Sequence, residues 1–180
     1  DNSDSASGKM DIILVAAKSD LVNDYSAVIK NSGLEPVIID VAAFALQNCY
    51  EQNYGINPQD TLVLVNIGAA STNMNIISKG KSIFTRDLNI GGKNYTDEIQ
   101  KQMNISYEQA EALKISGNTE SQGDKTDTLI PQEVGSIIKS VSESVGSELQ
   151  RTIDFYLQSA QDEAISTIYL SGGTARIYGL

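Results

Sequence analysis

Leu62-Val-Leu-Val-Asn-Ile-Gly-Ala-Ala-Ser-Thr-Asn-Met-Asn-Ile-Ile77 is the stretch that decides how this chain is read. An apolar strand runs into Gly68. Two alanines and two hydroxyls follow, and a second apolar strand begins. The pattern predicts two strands joined by a tight turn whose tip offers bare backbone N–H groups and hydroxyls, a combination that often holds phosphate. Taken alone, a small-residue hairpin is more often just a turn. Asn66 is the odd residue. It ends the first strand, where a phosphate-handling enzyme usually places an acid to organise Mg²⁺.

Outward from this hairpin, Thr61–Leu88 reads as a three-strand meander. Its strands meet at Gly68–Ser71 and at Ser78-Lys-Gly-Lys81, where Gly80 supplies a permissive backbone. Ile90-Gly-Gly-Lys93 ends the meander. Helices are predicted over Tyr95–Met103 and Tyr107–Ser116, with Ser106 capping the second and Glu108 and Glu111 in its first turns. Upstream, residues 11–40 read as strand–helix–strand. Asp11–Ala17 and Leu34–Val41 are the strands, Ser19 or Asp20 caps the helix between them, and Gly33 ends it. A helix over Ala42–Asn53 is closed by Gly55-Ile-Asn-Pro58. Residues 117–130, polar and nearly free of apolar side chains, read as a mobile loop. Pro131 then opens a long helix to about Ala160. Its apolar stripe is Val134, Ile137, Ile138, Val141, Val145, Leu149, Ile153 and Tyr156. A last strand, Thr167–Leu170, leads into Ser171-Gly-Gly173. Alternating meander and helices make the class α/β or α+β.

Composition narrows the function. The 180 residues suffice for one domain or two small ones, and 41% are hydrophobic, so a core can be buried. The net charge of −10 speaks against nucleic acid and against direct adhesion to anionic lipid. One cysteine, Cys49, rules out an internal disulfide framework and fits a reducing compartment. With no histidine, Ser-His-Asp chemistry and His-ligated metals are absent. The apolar runs 12–17, 37–46 and 62–67 are too short to span a bilayer, and the polar, acidic start is unlike a signal peptide. Both ends read as cut from a longer protein.

Several further positions could carry chemistry. Glu111 and Lys114, three apart, share a helix face. The bland reading is a surface ion pair worth little; the sharper one is a carboxylate and an ammonium aimed at ribose hydroxyls and base edges. Gly91-Gly92 reads as a strand-to-helix junction. Gly172-Gly173 reads as a turn whose missing side chains let a base or ribose lie on the backbone. The Asn-x-Ser/Thr triplets at Asn94 and Asn104 read as chance matches.

In order and spacing these pieces resemble the PilM family, actin-like proteins of type IV pilus assembly related to the cell-division protein FtsA. The matching segments are Ile-Leu-Val-Ala-Ala-Lys18, Gly-Leu-Glu-Pro-Val-Ile-Ile-Asp40, Val-Asn-Ile-Gly-Ala-Ala-Ser-Thr72, Phe-Thr-Arg-Asp87, Ile-Gly-Gly92, Tyr-Glu-Gln-Ala-Glu-Ala-Leu-Lys114 and Leu-Ser-Gly-Gly-Thr-Ala175. The resemblance implies an α/β, actin-like (ribonuclease H-like) fold, present in part. Residues 1–41 would be the end of a small insertion subdomain and the return to the first lobe, 42–60 a connecting helix and linker, and 61–180 most of the second, nucleotide-binding lobe.

The resemblance also implies roles. Gly68, Ala69, Ser71 and Thr72 match the second phosphate motif. Glu111 and Lys114 match the ribose and base contacts, Gly172 and Gly173 the adenosine motif, and Gly91 and Gly92 the turn opening a helix of the nucleotide-binding half. ATP and Mg²⁺ are the implied cofactors in the full-length protein, with no catalytic or metal residue assigned. The family usually has Asp where this chain has Asn66, so binding is expected to outlast hydrolysis. With the first phosphate motif expected upstream of Asp1, this stretch alone is expected to bind ATP weakly or not at all.

The implied partner is the cytoplasmic N-terminus of a PilN-like inner-membrane protein, with residues 11–40 forming part of its groove. The implied location is cytoplasmic, peripheral at the inner membrane through protein contacts, and a homo-oligomer stays open. The rival readings are an active ATPase, an FtsA-like filament protein with a membrane-binding tail, and a nucleotide-free adaptor resembling the cytoplasmic domain of the type II secretion protein GspL. That last relative would lack the glycine and hydroxyl positions kept here.

Overall fold

A computed structural model describes residues 12–55, 57–116, 132–159 and 164–180. The expected loop 117–130 and the Pro131 helix start lie outside the described residues. The chain divides into two compact units, Asp1–Asp40 and Val41–Leu180.

The first unit contributes one helix, α1 (Ser19–Asn31). Gly33, at φ +82°, takes the left-handed conformation that lets the chain turn away at the helix end. Two expectations fail here. Residues 12–17 and 34–40 form no strand. A strand exists only where a neighbour accepts and donates its backbone bonds, and neither run has a ladder partner among the described residues. Their apolar side chains, Ile12 to Val15 and Val37 to Ile39 among them, stay exposed, Val37 at 85%. Nor does Ser19 or Asp20 cap α1. Lys18 holds the N-cap position and no side chain bonds there.

The second unit is built on a four-stranded sheet of order β3-β2-β1-β4, from β1 (Thr61–Ile67), β2 (Thr72–Ser78), β3 (Lys81–Leu88) and β4 (Thr167–Ser171). The first three form the expected antiparallel meander, with Ile67 opposite Thr72 across the first turn. Lys79 and Gly80, both at positive φ, make the second turn. A bulge between Ile76 and Ile77 shifts the β2–β3 register, and Ile83 stands out, half exposed. β4 pairs parallel to β1, with Asn66 beside Ser171, so the two strands end at the same edge.

Alternation along β1 feeds two faces. Leu62 and Leu64, with Ile77, pack under Leu46 and Tyr50 of α2 (Ala42–Tyr54). Asn75 holds α2 from below by donating to Ala43 O at 3.1 Å. Val63, Val65, Ile67, Met74 and Ile76 face the other way, onto Ile153 and Tyr156 of α5 (Gln132–Ser159). The N-terminal half of α5 leaves the sheet. Val134, Ile137, Ile138, Val141 and Val145 pack instead against Tyr95 and Ile99 of α3 (Gly92–Met103) and Ala110 of α4 (Tyr107–Ser116). One helix thus joins the sheet to a small helical cluster, and the stripe read from the sequence is buried except for a partly exposed Leu149.

Candidate functional site

The site is assembled at the edge where β1 and β4 end. After Ile67 the chain turns through Gly68–Ser71, closed by Gly68 N–H donating to Ser71 O at 2.9 Å. Ala69 and Ala70 stand exposed at the tip. The loop's carbonyls point inward. Gly68 O accepts from Gly92 N–H at 2.9 Å and from the Thr174 hydroxyl at 2.8 Å, and Ala69 O accepts from Lys93 N–H at 2.7 Å. With both carbonyls engaged, the N–H groups of Ala69 and Ala70 have no protein acceptor among the described residues. That is the polarity an anion requires.

Thr72 plays a different part from Ser71. It is fully buried, and its hydroxyl donates to Ile90 O at 2.7 Å. It ties the hairpin to the segment entering α3 and has no proton left for a ligand.

Gly91 and Gly92 are where α3 meets this hairpin. A Cβ on Gly91 would lie 2.5 Å from Gly68 O and 2.8 Å from Ala69 O; one on Gly92 would lie 2.6 Å from Thr174 Oγ1. Only glycine lets the helix start come this close. The first N–H groups of a helix commonly face an anion, but here they are occupied. Gly91 N–H donates to Asn94 Oδ1 at 2.8 Å, and those of Gly92 and Lys93 bond the hairpin. The junction reading of this pair therefore holds, and its contribution is to seat the hairpin. Asn94, read from the sequence as a chance glycosylation triplet, is the capping side chain.

Gly172 and Gly173 separate. Gly172 has φ +90°, and a Cβ there would meet Ile67 O at 2.4 Å and Asn66 Oδ1 at 2.6 Å. Gly173 has helical φ and open space around its missing Cβ. The Asn66 side chain thus reaches the Gly172 turn at the same edge as the hairpin.

Glu111 and Lys114 are brought in by α4, packed on α3. Ser106 and Gln109 start α4 with a reciprocal pair of bonds, at 3.3 and 3.0 Å. Lys114 Nζ donates to Glu111 Oε2 at 2.6 Å, to Thr96 Oγ1 at 2.9 Å and to Gly92 O at 3.3 Å. Its side chain is only 12% exposed against 34% for Glu111, so this pair is more than a loose surface contact. Partial burial pushes the Glu111 carboxyl up, and the bonds from Lys114 and Thr96 outweigh it. The carboxyl sits below its ordinary value. Sequence reasoning passed over Thr96. It also passed over Thr174. The signal for Thr96 was its place four residues after Gly92, one turn along the same face.

The hairpin, the Gly91–Gly92 junction, the Glu111–Lys114 pair and the Gly172–Gly173 turn are therefore linked at one edge. Among the described residues no cluster of three or more acidic, cysteine or histidine side chains is gathered, and no helix is long and apolar enough to cross a membrane.

The profile of a family described as type IV pilus assembly protein PilM matches residues 1–180. The chain belongs to the PilM family. Among solved structures, a PilM–PilN type IV pilus biogenesis complex matches at 25% identity with a TM-score of 0.71, over 88% of this chain and 42% of that one. The ethanolamine utilization protein EutJ from Carboxydothermus hydrogenoformans matches at 25% identity and a TM-score of 0.62, over 86% of this chain and 48% of that one. MreB 5 of Spiroplasma citri bound to AMPPNP, at 19% identity and a TM-score of 0.58, shows the fold alone. The fold of this PilM-family chain is actin-like, and the chain spans less than half the length of the PilM–PilN complex chain it matches.

Proposed function

We propose that this chain supplies the nucleotide-binding second lobe of a type IV pilus assembly protein, which binds ATP with Mg²⁺ and hydrolyses it poorly. The observation that carries the reading is the convergence just described. The exposed N–H groups of the Gly68–Ser71 turn, the Glu111 carboxylate and the open backbone at Gly173 flank the same junction of β1, β4 and α3. In this reading the turn and Ser71 hold phosphate, Glu111 takes ribose hydroxyls, and Gly173 leaves room for the base. Thr72, Gly91, Gly92 and Gly172 hold these parts together.

The residues fit a nucleotide better than they fit its metal. Asn66 offers an amide oxygen without charge, a poor organiser of Mg²⁺ and of an attacking water. Bound Mg²⁺ would neutralise phosphate charge; the chain's own share is to orient the phosphates on backbone N–H groups.

The partner we propose is the N-terminal segment of a PilN-like membrane protein, which would hold the full-length protein at the cytoplasmic side of the inner membrane. The matched complex pairs PilM with PilN. The exposed apolar residues of the first unit offer part of the docking surface.

Calorimetry and phosphate release on the full-length protein test the reading together. The expected result is ATP binding with slow release, and faster release in Asn66→Asp. Wild type hydrolysing as fast as the variant would remove Asn66 from the account, and no binding at all would overturn the proposal.

A further inference from the structure

Thr174 lies one residue past Gly173, at the start of a single helical turn, Thr174–Arg176, and it is buried. Its hydroxyl donates to Gly68 O at 2.8 Å, the same oxygen that takes Gly92 N–H at 2.9 Å. A trans peptide is planar, and its C=O and N–H point in opposite directions. Holding Gly68 O inward therefore turns the N–H of Ala69 outward. Holding Ala69 O on Lys93 N–H does the same for Ala70. Two peptide planes thus set the polarity of the exposed tip. The plane after Ala69 is held by a backbone donor. The plane after Gly68 is held in part by a side chain 106 residues away, and Gly68 has no Cβ to resist its rotation.

We infer that Thr174 is a positioning residue for phosphate: its hydroxyl locks the Gly68–Ala69 peptide with the N–H outward, so that the tip presents a donor and not a carbonyl oxygen to the ligand. This rests on the nucleotide reading above and adds to it. A carbonyl turned outward would repel a phosphate oxygen, so the orientation of this one plane decides whether the tip attracts or repels an anion. A donor fixed before the ligand arrives lowers the ordering cost of binding. Thr174 directly follows Gly172 and Gly173, so the turn proposed for the base and the turn proposed for phosphate are joined through one carbonyl oxygen. Thr174 is not itself a ligand contact; it acts through the peptide.

The test compares ATP with adenosine, which carries no phosphate, by calorimetry on the full-length protein. Wild type is expected to bind ATP more tightly. Thr174→Val keeps the shape, removes the hydroxyl and leaves Gly68 O its bond from Gly92. It is expected to weaken ATP by about fivefold, the size of one hydrogen bond, and to leave adenosine unchanged. Thr174→Ala, smaller than valine, is expected to show the same split even if valine disturbs the fold. Thr174→Ser keeps the hydroxyl and is expected to bind ATP as wild type does. Equal loss of both ligands in the variants without the hydroxyl, or no loss of ATP, would overturn the inference and leave the nucleotide reading standing. If adenosine is too weak to titrate, a loss of ATP that Thr174→Ser does not share supports the inference, and a loss that it shares overturns it. A wild type that binds ATP and adenosine alike takes phosphate out of the site and overturns the inference with it. A wild type that binds neither overturns both readings.

Discussion

At the residue scale, Gly172 and Gly173 are identical in sequence and opposite in constraint. Gly172 combines a left-handed φ with contacts that leave no room for a Cβ, whereas Gly173 meets neither. Gly172→Ala is expected to cost at least about 1–3 kcal/mol of folding stability, the range for a strained backbone position. Gly173→Ala is expected to leave stability within about 0.5 kcal/mol and to weaken ATP binding by the full-length protein. Urea unfolding and calorimetry on the two variants check this pair. Equal destabilisation would refute the distinction. The sequence showed a glycine pair and could not tell them apart, because φ and close approach come from the neighbouring strand end. Thr72 has the same lesson. Its hydroxyl looked like a ligand group, and the entry to α3 claims it.

At the scale of elements, local pattern predicted whatever local pattern determines. The meander, α4 and the buried stripe of α5 follow from alternation, turn chemistry and helical spacing. The two apolar runs beside α1 had a strand's composition and no strand's surroundings, and pairing is a property of neighbours. The joint between α3 and α4 makes a measurable prediction. The folded Glu111 carboxyl is depressed below its unfolded value by its bonds to Lys114 and Thr96. The stability it contributes is therefore present above the unfolded value of 4.5 and is lost as pH falls through the lower folded value. Between neutral pH and about pH 4, urea unfolding of wild type should lose more stability than unfolding of Glu111→Gln, in which this group no longer titrates. Parallel curves would contradict it.

At the scale of the molecule, the actin-like fold was legible because its marks recur in order along the chain and each mark is short. The hairpin, the Gly-Gly junction, the Glu-x-x-Lys pair and the late glycine turn are each weak alone. The fold brings them to one edge by ending β1 and β4 together and packing α4 on α3. What stayed hidden was the wiring between them: Gly68 O bonded by both Gly92 and Thr174, and Thr96 beneath the ion pair. These bonds cross as many as 106 residues of sequence, where spacing carries no information. A net charge of −10 gives no overall attraction for phosphate, so the binding proposed here rests on the local N–H groups at the hairpin and not on the field of the whole protein.

The central claim is that phosphate sits on the Gly68–Ser71 turn. Ala69→Asp places a carboxylate at its exposed tip without entering the core. Like charge across a binding contact costs several kcal/mol. ATP titrated calorimetrically into the full-length Ala69→Asp protein should bind at least about tenfold more weakly than into wild type or Ala69→Ser. Equal affinity in all three would contradict the account.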